Sequence, residues 1–265
     1  VIGRSRDVTG KLNNGVQFLF KKNKIDHHEG HARITSGAQG GNPCTVEVRE
    51  PTGDYYHGTG ADVKQTLTAD KVLVATGAAP KELPFAPCDG EVIISSYSAM
   101  TLAKQPKSML VIGSGAIGLE FAYFYNAFGT EVTVVEMLDR IVPLEDGEVS
   151  KQAKRVFEKQ GMNFRLSTTV KDIERTKKGA KVTLVDVNDE SKTEQVEVDV
   201  VLVAIGVRGR HDGLFDEKLG LEIEKDHIKT DYRDAAEPTY QTTVPGIYAV
   251  GDVTGPPWLA HLASE

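Results

Sequence analysis

The sequence predicts an α/β fold in which parallel strands are joined by helices. Three observations predict it. Short apolar runs recur at Val72–Ala75, Ser108–Ile112 and Ile247–Val250, the pattern of strands covered on both faces. Such runs lead into small residues suited to tight turns. Between them, apolar residues recur at helical spacing.

Val16, Leu19 and Phe20 fall at i, i+3 and i+4, which predicts a short helix ending near Lys22–Asn23. Glycine, proline and polar residues break the chain at Ser36–Pro43 and again at Pro51–Gly60. Thr45–Arg49 and Val63–Thr68 read as the strands of a hairpin. Val72–Ala75 is a buried strand delivering Thr76, Gly77, Ala78, Ala79 and then Pro80.

A strand–turn–helix–strand unit begins at Ser108. It comprises the strand Ser108–Ile112, the turn Gly113–Gly118, a helix over Ala116–Phe128 and a strand over Glu131–Glu136. Gly129 is placed to stop the helix. Asp146–Gln160 reads as a second helix, with Val149, Ala153, Val156 and Phe157 on one side and Gly161 at its end. Strands are expected at Val170–Arg175, Lys181–Val187 and Gln195–Leu202, with turns at Lys178-Gly179 and Asn188–Ser191. Their charges imply one wet face. Ile247–Val250 is a last buried strand, followed by Gly251, Asp252 and a loop through Gly255-Pro256-Pro257.

Composition narrows the class. Among 265 residues, 40% are hydrophobic, which argues against general disorder. The net charge of −7, without any basic run, argues against nucleic acid as the main partner. No apolar stretch approaches the ~20 residues that cross a bilayer. Cys44 and Cys88 are too few for a disulfide framework and fit a reducing compartment. The opening VIGRSRD does not read as a signal peptide. That start, and the ending LAHLASE, lead to the expectation of an internal piece of a longer protein.

Gly113-Ser-Gly115-Ala-Ile-Gly118 carries the strongest chemical content. The first glycine permits a tight turn, the second lets backbone approach a pyrophosphate, and the third lets helix and strand pack closely. The helix start then offers N–H groups and its positive dipole end to phosphate. Glu136 ends the next strand, roughly 20 residues on, where an acidic residue holds a ribose 2′-hydroxyl. Its carboxylate can accept from both ribose hydroxyls and repels a 2′-phosphate, which favours NAD over NADP. Arg140 is either a phosphate-seeking side chain or an exposed loop residue. Glu120, inside an apolar helix, either faces a cleft or sits as a first-turn carboxylate favoured by the dipole.

The combination of Val74-Ala-Thr-Gly77, the Gly113–Gly118 turn, Glu120, Glu136 and Ala249-Val-Gly-Asp252 resembles the flavoprotein disulfide reductases. Gly15-Val16, Lys21-Lys-Asn23 and Leu259-Ala-His261 bring the resemblance nearest to the dihydrolipoamide dehydrogenase branch. The resemblance implies two doubly wound, Rossmann-like domains, with an NAD domain (107–234) inserted in an incomplete FAD domain (1–106 and 235–265). It implies FAD and NAD as cofactors. Gly113, Gly115, Ala116, Ile117, Gly118, Glu120 and Glu136 would serve the nicotinamide nucleotide, and Gly206 of Ala204-Ile-Gly206 also lies at a cofactor. Thr76, Gly77, Gly251, Asp252, Leu259, Ala260 and His261 would serve the flavin, with Asp252 on the ribitol and the Leu259–His261 backbone at the pyrimidine.

Departures from that family matter equally. Its earlier glycine-rich turn, its C-x₄-C redox pair and its interface domain with a His–Glu acid–base pair are not among these residues. No catalytic residue is therefore assigned, and the chain alone is expected to lack turnover. Arg208 and Arg210 both remain open as the flavin-side arginine. The resemblance implies a homodimeric parent acting on the lipoyl domain of a 2-oxoacid dehydrogenase or glycine cleavage complex, in the cytoplasm or alternatively the mitochondrial matrix. Ferredoxin reductases and NADH oxidases, which lack a redox disulfide, are the alternative chemistry, and a simple dinucleotide-binding module is a third. His27, His28 and His31 read as a hydrophilic strand–loop edge, with no metal implied.

Overall fold

The structure, a computed structural model, describes residues 1–52, 60–233 and 236–264. Most of the break expected at Pro51–Gly60, and the boundary expected at 234/235, lie outside the described residues. The chain forms two compact units, one from residues before Pro80 and after Val207, the other Pro80–Val207.

The Pro80–Val207 unit is built on a five-stranded sheet. Its spatial order is Ile93–Ile94, Val200–Val203, Ser108–Ile112, Glu131–Val135, Asn163–Arg165. Every pairing is parallel. That arrangement is typical of a dinucleotide-binding Rossmann fold. Along the central strands, alternate residues serve opposite faces, as the pleat requires. Met109, Val111, Val132, Val134 and Leu202 pack against Leu119, Ala122 and Tyr125 of the helix Ala116–Ala127. Leu110, Ile112, Val135, Val201 and Val203 pack the other way, with Val170, Ile173, Val182 and Leu184. Burial on both faces is why these runs are mostly apolar, each large buried side chain contributing about 1.5–3 kcal/mol.

The second face is not helical, as double winding would have it. It carries a three-stranded antiparallel sheet, Thr168–Arg175, Ala180–Asp186 and Asp189–Val198. Val170, Ile173, Ala180, Val182 and Leu184, with Val196 and Val198, form its dry side, so the sheet lays apolar residues where helices were expected. The run expected as one strand, Gln195–Leu202, is divided. It leaves the antiparallel sheet at Val198 and enters the parallel one at Val200. Asp199 marks the break: its Oδ2 accepts from the Lys107 N–H at 2.7 Å, and its own N–H donates to Ser108 Oγ at 3.0 Å.

The helix Ala116–Ala127 ends where expected, with Gly129 at φ +92° taking the left-handed turn. The helix Gly147–Lys159 starts at Asp146, whose side chain accepts from the Glu148 N–H at 2.8 Å. Its inward face differs from the expected one. Ser150 is buried and Ala153 and Phe157 pack on the core, whereas Val149 and Val156 are exposed.

In the other unit, His31–Ser36, Cys44–Arg49 and Val63–Ala69 form an antiparallel sheet, one strand more than the expected hairpin. Val72–Val74 pairs in parallel with Ile247–Ala249. Ile34, Cys44, Val74, Leu214, Ile228, Ile247 and Val253 share its core. Leu73, expected in a buried strand, is 61% exposed. The N-terminal helix runs Ile2–Lys22, longer than expected, and none of its residues is buried. No helix among the described residues is long and apolar enough to cross a membrane.

Candidate nucleotide site

The order of the parallel strands reverses beside Ser108–Ile112. Glu131–Val135 follows on one side of it, and Val200–Val203 lies on the other. Open α/β sheets bind ligands past the carboxyl ends of the strands at such a reversal. The glycine turn stands at that point. The Gly113 N–H donates to Val135 O at 2.9 Å, and the Ala204 N–H donates to Ile112 O at 2.8 Å, so both neighbouring strands fix its start.

The three glycines have three different surroundings. Gly113 has φ +101°, and a Cβ there would lie 2.4 Å from Ala204 O. A Cβ on Gly118 would lie 2.2 Å from Gly113 O, so helix and strand close to contact only because that atom is missing. A Cβ on Gly115 would meet nothing within 4 Å. The turn is tight behind and open in front, the shape needed for backbone to approach a ligand. Gly115 also caps the helix without a side-chain hydrogen bond. The N–H groups of the first turn, at Ala116, Ile117 and Gly118, have no acceptor within the helix. They and the dipole suit an anion.

Glu136 is only 8% exposed and lies against this turn. Its Oε2 accepts from both the backbone N–H and the hydroxyl of Ser114, at 2.9 and 2.8 Å. Its Oε1 accepts from the Leu138 N–H at 3.0 Å. Ser114 is fully buried. The following loop closes on the same turn, because the Val142 N–H donates to Ser114 O at 3.0 Å and Ile141 is fully buried. Arg140 is exposed and donates to Pro143 O at 3.0 Å. Glu120 is also exposed. Gly206 follows the strand Val200–Val203, is exposed, and accepts from the Lys81 N–H at 2.9 Å. Ser114 escaped the sequence reading because the spacing leaves that position unspecified; the available signal was a hydroxyl inside the turn and a carboxylate one strand away.

The other unit gathers the residues expected at the flavin. Val72–Val74 and Ile247–Ala249 are adjacent and parallel, so Thr76-Gly77 and Gly251-Asp252 follow neighbouring strand ends. The Val250 N–H donates to Val74 O at 3.0 Å and extends that pairing. Asp252 lies half-buried in the turn Gly251–Thr254. Thr76 Oγ1 donates to Arg210 O at 2.6 Å, and the Arg210 N–H donates to Gly77 O at 2.9 Å. The Arg208 guanidinium pairs with Asp212. Leu259, Ala260 and His261 are exposed, the last two in a short 3₁₀ turn, Ala260–Ala263.

Cys44 is buried and Cys88 half-buried, both as free thiols. Burial, then the neighbouring Glu82 and Asp89 carboxylates, push the Cys88 thiol up to about 12. A thiol held protonated is a poor nucleophile. Among the described residues, no three His, Cys, Asp or Glu side chains converge as a metal site requires. His27 and His28 are exposed, and His31 opens a strand.

Comparison with known proteins agrees with this geometry. The sequence is 39% identical to a dihydrolipoyl dehydrogenase of Rhizobium etli and 38% identical to one of Chlorobaculum tepidum, over 100% and 99% of the chain. The chain spans about half the length of these relatives, 53% and 51%. Among solved structures, LpdA of Mycobacterium tuberculosis superposes over 99% of this chain and 53% of its own, with a TM-score of 0.83 and 27% identity. The flavoprotein disulfide reductase RclA of Escherichia coli, at 22% identity and a TM-score of 0.75, shares the fold. Residues 2–265 match the pyridine nucleotide-disulphide oxidoreductase family, to which this chain belongs.

Proposed function

We propose that this chain holds a nicotinamide dinucleotide and part of a flavin within an oxidoreductase of the dihydrolipoyl dehydrogenase kind. One observation carries the reading: the Gly113–Gly118 turn stands at the strand-order reversal, open in front of Gly115, with Glu136 held beside it. The unit Pro80–Val207 takes NAD, and the residues before and after it take FAD. The open turn and unsatisfied N–H groups fit a pyrophosphate, and Glu136 fits a ribose hydroxyl. Asp252 is an acceptor for the sugar of a flavin, beside the Thr76-Gly77 loop.

FAD, when bound, supplies two-electron transfer between a dithiol and NAD. For the whole protein, a dithiol and NAD⁺ give a disulfide, NADH and a proton. The chain's own residues bind and orient. Its turn fixes the phosphates, its helix start favours their charge, and Glu136 disfavours a 2′-phosphate. Cys44 and Cys88 offer no thiol pair, so this chain alone does not turn over. We infer for the whole protein a homodimer that acts on a lipoyl domain, a reading that rests on the family resemblance. The experiment is a melting-temperature comparison: ADP-ribose raises it in a concentration-dependent way, and nicotinamide mononucleotide does not. Protection by the mononucleotide alone would overturn the reading.

A further inference from the structure

The Glu136 carboxylate is largely engaged before any ligand arrives. Ser114 gives Oε2 two donors and Leu138 gives Oε1 one. A carboxylate has about four acceptor directions, so roughly one is left, on Oε1. The Ser114 hydroxyl is fully buried and donates to Glu136 Oε2, and this contact sets its position. We propose that Ser114 is a positioning residue that makes Glu136 a fixed, single-direction acceptor and thereby sets the choice between a ribose 2′-hydroxyl and a 2′-phosphate. The inference rests on Glu136 being the ribose carboxylate.

The physical argument concerns rotation. A glutamate held only by the two backbone N–H groups of residues 114 and 138 is freer to swing away from a 2′-phosphate and relieve the like-charge repulsion. A glutamate held by three donors keeps its charge in place. It also spends less side-chain freedom when a hydroxyl binds. The hydroxyl of Ser114 therefore works against the phosphorylated cofactor and for the unphosphorylated one.

The test is calorimetric titration of the chain and of S114A, S114C, E136A and S114A/E136A with NADH and NADPH. Loss of one charge-assisted donor weakens NADH by about 3- to 10-fold in S114A. NADPH binding stays level or tightens, so the ratio between cofactors falls. S114C keeps the volume with a poor donor, moves the ratio the same way, and serves where S114A does not fold. In the E136A background the serine substitution has no further effect. Equal weakening of both cofactors, or an effect of S114A that persists with E136A, would overturn the proposal. If E136A leaves NADH affinity unchanged, the ribose reading itself fails. If E136A weakens NADH and both serine variants leave the ratio unchanged, only the role of Ser114 fails.

Discussion

Gly118 stands over the carbonyl oxygen of Gly113 so closely that a Cβ on Gly118 would lie 2.2 Å from that oxygen. The helix Ala116–Ala127 can meet the strand Ser108–Ile112 at this distance only with glycine in place. The six residues Gly113–Gly118 thus join a packing requirement to a ligand requirement, and the two can be separated experimentally.

Gly118→Ala and Gly115→Ala should behave differently. The first drives a methyl into backbone and costs stability, on the order of 1–3 kcal/mol for an overpacked site. The second adds a methyl to open space, so melting is nearly unchanged while NADH affinity falls about tenfold or more, for loss of close phosphate approach. Thermal melts and NADH titrations of both variants check this. A destabilised Gly115→Ala with normal affinity would contradict it.

The cysteines should be silent in the native chain. Cys44 is buried and the Cys88 thiol is pushed up to about 12, so its thiolate is scarce near neutral pH. A thiol-reactive chromophore at pH 8 should label neither rapidly, and both after denaturation. Rapid native labelling of Cys88 would show that burial and the Glu82 and Asp89 carboxylates do not govern it.

Asp89 should couple stability to acid pH. Burial pushes its carboxyl up, yet the N–H groups of Glu91, Val92 and Ile93 and the Arg175 guanidinium outweigh that and hold it below the usual range. A carboxyl lowered in the folded state contributes its full stabilisation above the unfolded value of about 3.9 and loses it as pH falls through the folded one. Asp89→Ala should cost about 1–2 kcal/mol at neutral pH and less in acid. Urea titrations at pH 7 and pH 3 measure the difference, and an equal cost at both would contradict it.

The central parallel strands were legible through burial on both faces. Ser108–Ile112 reads as a strand because both of its faces are dry, and Asp146 and Gly129 announce helix ends through local chemistry. Asp199 was not legible, since Gln195–Leu202 looks continuous until the carboxylate is seen holding the Lys107 N–H. Asn163–Arg165 is too short and polar to stand out, though it pairs at the sheet edge. The three antiparallel strands were legible from local pattern and turn residues, whereas their place over the second face of the parallel sheet was not. At the site, spacing pointed to Gly113, Gly118 and Glu136. The Ser114 contact joins residues from two strand ends, and spacing alone does not say which donors a carboxylate meets.

The most direct measurement is a fluorescence titration of the chain with NADH. The account predicts a saturable rise in nicotinamide emission, weakened about tenfold or more by Glu136→Ala through the lost hydroxyl acceptor. A response that never saturates, or one identical in the Glu136→Ala chain, would contradict it.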